Sequence, residues 1–328
     1  MKNNFCLLLI MMIVLGSGGF AVAQPPKVPR IGILVSAGDP SGPSRIVEAF
    51  RKGLRELGYV EGKNILIEYR YGLGKLDRIP SLIAELVQAK VDVLVVSSLV
   101  GIRAAKQATK SIPIVMLASI DPVGNGIVES LARPGGNITG LALLTRELSA
   151  KRVELLKEVI PGISRVAILW DAAAPGPALA FKEYEAAAQA FKLRLLSLEV
   201  RDPNPDFKGA FQAAAKSRAG ALIVVSDPLI IKNRKQIVGL AAKNRLALMY
   251  ETSRFVEDGG LVSYSASDLD QWSRAAVFVD KILRGRKPAD LPVEQPMKFE
   301  FVINLKTAKQ LGLTIPQWTL MKADKVIK

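Results

Sequence analysis

The sequence contains no histidine, and its single cysteine is Cys6. A Ser-His-Asp triad, a Cys-His pair and ordinary zinc sites all need an imidazole or a thiolate, so these chemistries are excluded beyond the first few residues. The chain after Cys6 cannot form a disulfide and must hold together by core burial, which 328 residues allow. Aromatic residues make up only 6% of the chain. The basic residues do not cluster or interleave with aromatics, but scatter along predicted helices, as in Arg45, Arg51, Lys52 and Arg55, or Lys232, Arg234 and Lys235. The formal charge of +15 therefore reads as a solvated basic surface rather than a nucleic-acid interface. Beyond the N-terminus no apolar stretch reaches the roughly 20 residues of a membrane span. No metal-ligand spacing and no catalytic carboxylate pair stands out. The expectation is a non-enzymatic protein with no metal, no cofactor and no nucleic-acid partner.

What is present begins with a compartment signal. Lys2, the apolar run from Phe5 to Leu15 and the small residues Ala21-Val22-Ala23 form the three parts of a secretory signal peptide over residues 1–23, cleaved after Ala23. Cys6 lies before the apolar run and not at the cleavage site, which argues against lipid attachment. The chain is thus expected to be exported and soluble.

After a Pro-rich leader, strand and helix patterns alternate. Arg30–Ser36, Asn64–Arg70, Val91–Val96, Ile114–Ala118 and Ile138–Leu143 read as strands. Between them, apolar residues at helical spacing, such as Ile46, Val47, Phe50, Leu54 and Leu57, predict helices, with a short one near Gly126–Leu131. The rhythm restarts at Leu148–Ile160 and continues through strands at 165–170, 193–200, 221–225 and 246–250, with a helix over Ile230–Lys243. A strand at 260–265, a helix at 271–283 and a strand at 299–304 break the repeat. Such alternation implies parallel sheets with right-handed crossovers. The expected fold is α/β: two similar three-layer α/β/α lobes with mainly parallel sheets, joined by several chain crossings that act as a hinge. The expected boundaries are 28–143 plus about 265–290 for the first lobe, and 144–264 plus about 291–328 for the second.

In open α/β sheets, ligands sit beyond the carboxyl ends of the strands. Polar residues fall there: Ser36 and Asp39, Ser97 and Ser98, Ser119 and Asp121 in the first half; Asp171, Ser226, Asp227 and Glu251 in the second, with Tyr264 near the later crossing. Hydroxyls and helix N-terminal N–H groups suit a carboxylate, and Asp suits an ammonium. Ser and Asp after strands also serve as turn residues and helix caps, so the candidate site is their convergence in one cleft. Trp170, Trp272 and Trp318 read as core or lobe-packing residues, and Tyr250 as a half-buried strand residue with a ring that could stack on a ligand. Gly72-Leu73-Gly74-Lys75 is not a phosphate loop, because Leu76 stands where Ser or Thr is required.

Several long segments then carry a family resemblance. They are Asp121-Pro122-Val123-Gly124; Ser130 to Gly140 (SLARPGGNITG); Lys281-Ile282-Leu283-Arg284-Gly285 with Leu291 to Pro296 (LPVEQP); and Asn304-Leu305-Lys306-Thr307-Ala308 with Leu311 to Pro316 (LGLTIP). In these the chain resembles the ABC transporter substrate-binding proteins of the tryptophan/tyrosine type, which share the type I periplasmic binding fold. The resemblance implies a periplasmic, monomeric binder that holds a small molecule, an amino acid or an aromatic one among the choices, and serves an ABC permease and ATPase. It places Ser97, Ser98, Ser119 and Asp121 in the cleft of one lobe, facing Asp227 and the stretch around Tyr264 of the other. A ligand-sensing role at a membrane receptor and a carboxylate-based enzyme are the competing readings.

Overall fold

The computed structural model describes residues 27–37, 44–143 and 145–328, with backbone alone at 118–120 and 145–147. The predicted signal peptide, its cleavage site and Asp39 lie outside the described residues.

Period-two alternation of branched residues builds the first sheet. Ile31, Ile33 and Val35 of β1 (Arg30–Val35) face one side and Leu34 the other; Val93 and Val95 of β3 (Val93–Ser97) divide from Leu94 and Val96 in the same way. With β2 (Leu66–Tyr71), β4 (Ile114–Ile120) and β5 (Ile138–Leu143), these strands form a five-stranded parallel sheet in the order β2-β1-β3-β4-β5. Both faces must be covered, since a parallel sheet presents apolar residues on each. Helix α1 (Arg45–Glu56) covers one with Val47, Phe50 and Leu54; α2 (Ile79–Gln88) and α3 (Leu99–Ala108) cover the other. In β5, Gly140 has φ +132, and a Cβ there would collide with the Met116 carbonyl of β4.

The second sheet follows α4 (Thr145–Val159). Its strands are β6 (Arg165–Asp171), β7 (Arg194–Val200), β8 (Ala221–Val224), β9 (Ala247–Tyr250), β10 (Val262–Ala266), β11 (Phe299–Asn304) and β12 (Lys325–Ile327), in the order β12-β11-β10-β9-β8-β6-β7. All neighbours are parallel except β10 and β11. Its helices are α5 (Pro175–Ala190), α6 (Phe207–Lys216), α7 (Pro228–Lys232), α8 (Arg234–Lys243) and α9 (Ser253–Glu257), with short α11 (Leu305–Gln310) and α12 (Gln317–Leu320) near the C-terminus.

Helix α10 (Asp268–Leu283) returns to the first sheet and packs on α1, where Gly53 lets the backbones close: a Cβ at that position would sit 2.8 Å from the Ser273 carbonyl. The chain thus passes between the sheets after Leu143, between Ala266 and Asp268, and between Glu294 and Phe299. Glu294 is pinned to the first sheet. Its N–H donates to the Gly140 carbonyl at 2.9 Å, its carbonyl accepts from Ala142 N–H at 2.9 Å, and its carboxylate takes both Nε and Nη2 of Arg274 at 2.7 Å. The result is the expected two-lobed α/β molecule.

Three local readings differ. Residues 126–131 are not helical: Gly126 sits at φ +63, and the N–H groups of Ile127 and Val128 both donate to the Pro122 carbonyl, folding the segment into successive turns. The helix over Ile230–Lys243 is two helices, because Asn233 turns its side-chain amide back to the Leu229 carbonyl at 2.9 Å and takes φ −95, ψ 12. Trp318 is 49% exposed with the Lys322 ammonium 4.8 Å over its ring, so it is a surface residue and not a core one. Trp170 and Trp272 are buried. Among the described residues no helix is long and apolar enough to cross a membrane.

Candidate functional site

The carboxyl ends of β1 and β3 in one lobe, and of β8 and β9 in the other, open on a shared cavity of about 860 Å³. Ser36, Ser97 and Ser98 line it from the first lobe; Ser226, Asp227 and Glu251 line it from the second. Apolar surface lies between them, including Leu117, Leu148, Pro177 and Trp272. The lobes also touch around the cavity. Arg45 Nη1 at the start of α1 is 2.7 Å from Glu257 Oε2 of α9, and Gly74 lies against the Pro228 carbonyl and Lys232. Arg254 and Thr252 from the second lobe reach Asp268 of α10 at 2.9 and 3.2 Å.

The first-lobe wall is built from serine. Ser36 Oγ donates to the Ser97 carbonyl at 3.1 Å and lies 3.2 Å from Ser98 Oγ, which in turn accepts the Gly101 N–H at 3.3 Å as N-cap of α3. Ser98 has φ 73 and ψ 145, a region that almost only glycine occupies. Ser98 and the first residues of α3, Leu99 and Val100, line the cleft, so the N-terminus of that helix borders the space where an anionic group could sit.

A buried ion pair underlies the second-lobe wall. Arg152 of α4 donates from Nε to the Tyr264 carbonyl at 2.7 Å, and from Nη1 to Tyr184 Oη at 3.0 Å and Glu251 Oε1 at 2.9 Å. Glu251 Oε1 also accepts the Tyr184 hydroxyl at 2.6 Å, and Oε2 accepts the Ser226 N–H at 2.8 Å. Side-chain exposures of 6% and 12% make the pair a low-dielectric one. Burial opposes the Arg152 charge, but Tyr184 and Glu251 outweigh it and hold the guanidinium above its ordinary value. Burial pushes the Tyr184 phenol well up, so it stays a donor.

Asp227 N-caps α7, accepting the Ile230 N–H at 2.7 Å through Oδ1. Burial raises its carboxyl well above the usual range; the Ile230 bond opposes this, and the Asp171 carboxylate beside it adds to the rise.

The other candidates sit elsewhere. Asp171 is fully buried behind Asp227, with Oδ1 on the Ala173 N–H at 2.9 Å. Asp121, at φ 40, is exposed and folds its own turn by accepting the Gly124 N–H at 2.9 Å; it is not among the cavity-lining residues. Tyr264 stacks on Phe299 at 5.9 Å and contributes only its carbonyl, to Arg152. Ser119 pairs with Ala142 in the β4–β5 register, and its side chain lies outside the described residues. Tyr250 is fully buried against Phe255. Residues not anticipated are Arg152, Thr252, Ser267, Gln271 and Trp272, all on the cavity wall. Arg152 had a signal in the sequence: with Leu148, Leu155, Leu156 and Val159 it falls on the apolar stripe of its helix, where a charge needs a partner. Among the described residues no group of three or more metal-ligating side chains gathers.

A family model described as ABC transporter substrate binding protein matches residues 30–327. The chain belongs to that family. This substrate-binding protein is 26% identical over 270 residues to the tyrosine-binding protein of Clostridioides difficile strain R20291, a match covering 81% of this chain and 76% of the relative. The ABC domain from Streptococcus pneumonia in complex with L-Trp superposes with a TM-score of 0.84 at 27% identity, over 91% of this chain and 99% of that one. A conserved domain protein from Vibrio cholerae O1 biovar El Tor gives 0.83 at 26%, over 92% and 100%. The type I periplasmic binding fold of these substrate-binding proteins accounts for the two lobes and their three chain crossings.

Proposed function

We propose that this substrate-binding protein is the extracytoplasmic component of an ABC importer, capturing an aromatic L-amino acid between its lobes and presenting it to a membrane permease and its ATPase. The observation that carries the reading is the division of chemistry across the cavity. Hydroxyls and the start of α3 stand on one side, at Ser36, Ser97 and Ser98, and carboxyl groups on the other, at Asp227 and Glu251; the arginines of the wall, Arg45, Arg152, Arg234 and Arg254, are each paired with a carboxylate, and apolar surface lies between. A zwitterion with a ring matches that order: carboxylate to the first lobe, ammonium to the second, ring against Leu117, Leu148, Pro177 and Trp272. The tyrosine-binding and tryptophan-bound relatives support the same class. The N-terminal signal pattern supports export, with the mature chain acting as a monomer whose two lobes, 28–143 plus about 265–290 and 144–264 plus about 291–328, close as separate bodies.

The test is a thermal-shift panel of amino acids and aromatic acids on the mature chain, followed by uptake of the hit in a deletion strain. A ligand at 100 times its Kd stabilises the folded state by about 2.7 kcal/mol. L-tryptophan or L-tyrosine is expected to raise Tm, and uptake is expected to fall without the protein. No shift with any aromatic amino acid removes the ligand assignment, and normal uptake in the deletion strain removes the import role.

A further inference from the structure

Basic residues that are scattered along the sequence gather in space at one end of the second lobe. Helices α5, α6 and α8 each hand over to a strand through a Lys-x-Arg triplet: Lys192-Leu193-Arg194 into β7, Lys216-Ser217-Arg218 before β8 and Lys243-Asn244-Arg245 before β9. The strands lie in the order β9-β8-β6-β7, so the three loops fall within three strand spacings, roughly 15 Å. Between them Arg165 opens β6, and its Nη1 donates to the Ser217 carbonyl at 2.9 Å. Strand β11 runs antiparallel to β10 and ends at the same pole, where Lys306 and Lys309 of α11 follow. Thr307 and Gln310 of that helix share a small pocket with Ala242 and Leu246, beside Arg245. The lysines and arginines of the three triplets, with Lys306 and Lys309, are all exposed.

Charge and backbone both set this pole apart from an ordinary solvated surface. Residues 190–194, 215–220, 242–246 and 305–313 include no Asp or Glu. Among the described residues, none of their lysines and arginines has an ion pair or a side-chain hydrogen bond. The first lobe differs at the corresponding end, where Lys27 is 2.6 Å from Asp92, Arg30 2.8 Å from Glu68 and Arg51 2.8 Å from Glu61. In the backbone, Lys192, Arg218 and Arg245 take φ 58, 54 and 47, the left-handed position after a helix that glycine fills with least strain. The turns are closed by main-chain bonds alone: the N–H groups of Leu193, Ala219 and Leu246 donate to the Ala188, Ala214 and Ala241 carbonyls at 2.8, 3.0 and 3.0 Å. Glycine would therefore serve each turn. A cation near a helix C-terminus complements the dipole, but Lys216 and Lys243 in the last turns of α6 and α8 already do so. Lys90 of the first lobe holds the same backbone position, at φ 53, with Asp92 two residues on.

We propose that this pole is a docking surface for an anionic phospholipid bilayer, which holds the protein at the membrane by its second lobe while the cleft, at the opposite ends of the strands, stays open to its ligand. Unpaired cations on long stems, set side by side at one end of a lobe, match a plane of phosphate headgroups. The attraction acts within a Debye length, about 10 Å at 0.1 M salt. Single-stranded nucleic acid also offers phosphates, but the surfaces that bind it add aromatic platforms for the bases. The one aromatic residue in these loops, Phe191, is half-buried with the Lys157 ammonium 5.5 Å over its ring. The pole lies away from the cleft, so the proposal does not depend on which ligand the cleft takes.

Vesicle flotation of the mature chain is the test. Vesicles of phosphatidylglycerol and phosphatidylcholine in equal parts are expected to bind it at least about tenfold more tightly than phosphatidylcholine alone at low salt, with the difference lost near about 0.5 M salt. The triple variant Lys192→Gly, Arg218→Gly, Arg245→Gly should weaken that binding about tenfold or more. Glycine fits the left-handed position, so the Tm of this variant is expected to match or exceed wild type, which separates lost binding from lost folding. If it melts lower, Lys192→Gln, Arg218→Gln, Arg245→Gln removes the same charges and should give the same loss. Lys63→Gln, Lys90→Gly, Lys110→Gln takes an equal charge from exposed positions of the first lobe and should keep vesicle binding within about twofold. The amino-acid thermal shift should be unchanged in the pole variant, and failure of that panel leaves the vesicle result standing. Equal binding to both vesicle types, equal losses from the pole and first-lobe variants, or displacement of the vesicles by a tighter-binding single-stranded DNA oligonucleotide overturns the proposal.

Discussion

Replacing Arg152 with Met probes the second-lobe wall. The thioether side chain fills much of the same space but deletes three hydrogen bonds, to the Tyr264 carbonyl, the Tyr184 hydroxyl and Glu251. Glu251 then keeps only the Tyr184 hydroxyl and the Ser226 N–H. Removing one member of a buried ion pair costs about 3–5 kcal/mol, because the remaining charge is stranded out of water. The side-chain exposure of 6% at Arg152 leaves little solvent to relieve that. For a lobe of this size each kcal/mol moves Tm by about 2–4 °C, so the expected loss is roughly 6–20 °C in calorimetry or circular dichroism. The double variant Arg152→Met, Glu251→Gln removes the stranded charge and keeps an acceptor for Ser226 and Tyr184; it should recover most of the loss, a coupling of about 2 kcal/mol or more in a double-mutant cycle. If the single variant loses less than about 1 kcal/mol and the two changes add, the pair is solvated and the derivation fails.

Other outcomes follow from single positions. Ser98→Ala keeps the strained backbone and loses the cap to Gly101, so it should be less stable than Ser98→Gly, which loses the cap but relaxes φ 73; a gap of about 1 kcal/mol in urea unfolding is expected. Gly140→Ala drives a methyl into the Met116 carbonyl at φ +132, and should lower stability by several kcal/mol or prevent soluble expression. Arg45→Ala removes an ion pair between the lobes that is largely exposed on the arginine side; it should change stability by under about 1 kcal/mol, yet weaken ligand binding a few-fold at low salt, with the difference vanishing in high salt.

Much of the fold could be read from apolar periodicity. The buried runs of β1 and β3 and the stripe of α1 follow directly from two-fold and 3.6-fold spacing, because burial on both faces of a parallel sheet leaves continuous valine and isoleucine. What periodicity misses are elements set by hydrogen bonds to side chains or by distant partners. Asn233 breaks a helix whose apolar pattern continues through it, and β12, three residues long, exists only because β11 lies beside it. At the site, serines and acids after strands were visible as a class, but not which of them reach the cleft. Ser36 and Asp121 are alike in sequence context; the first turns into the cavity, while the second is spent on its own turn. Arg152 escaped notice because its helix lies outside the strand-end rule.

The third crossing constrains how the lobes swing. Glu294 is tied to β5 and Arg274, and Phe299 already belongs to β11, so only Gln295, Pro296, Met297 and Lys298 are left to twist. Pro296 fixes one of those torsions, and the Lys298 carbonyl accepts the Ser267 N–H at 3.1 Å, fastening this strap to the neighbouring passage. Two straps laced together bend readily about the line across them and resist rotation along it. Opening should therefore be a clamshell stroke in one plane, which returns the facing walls to the same register after every cycle.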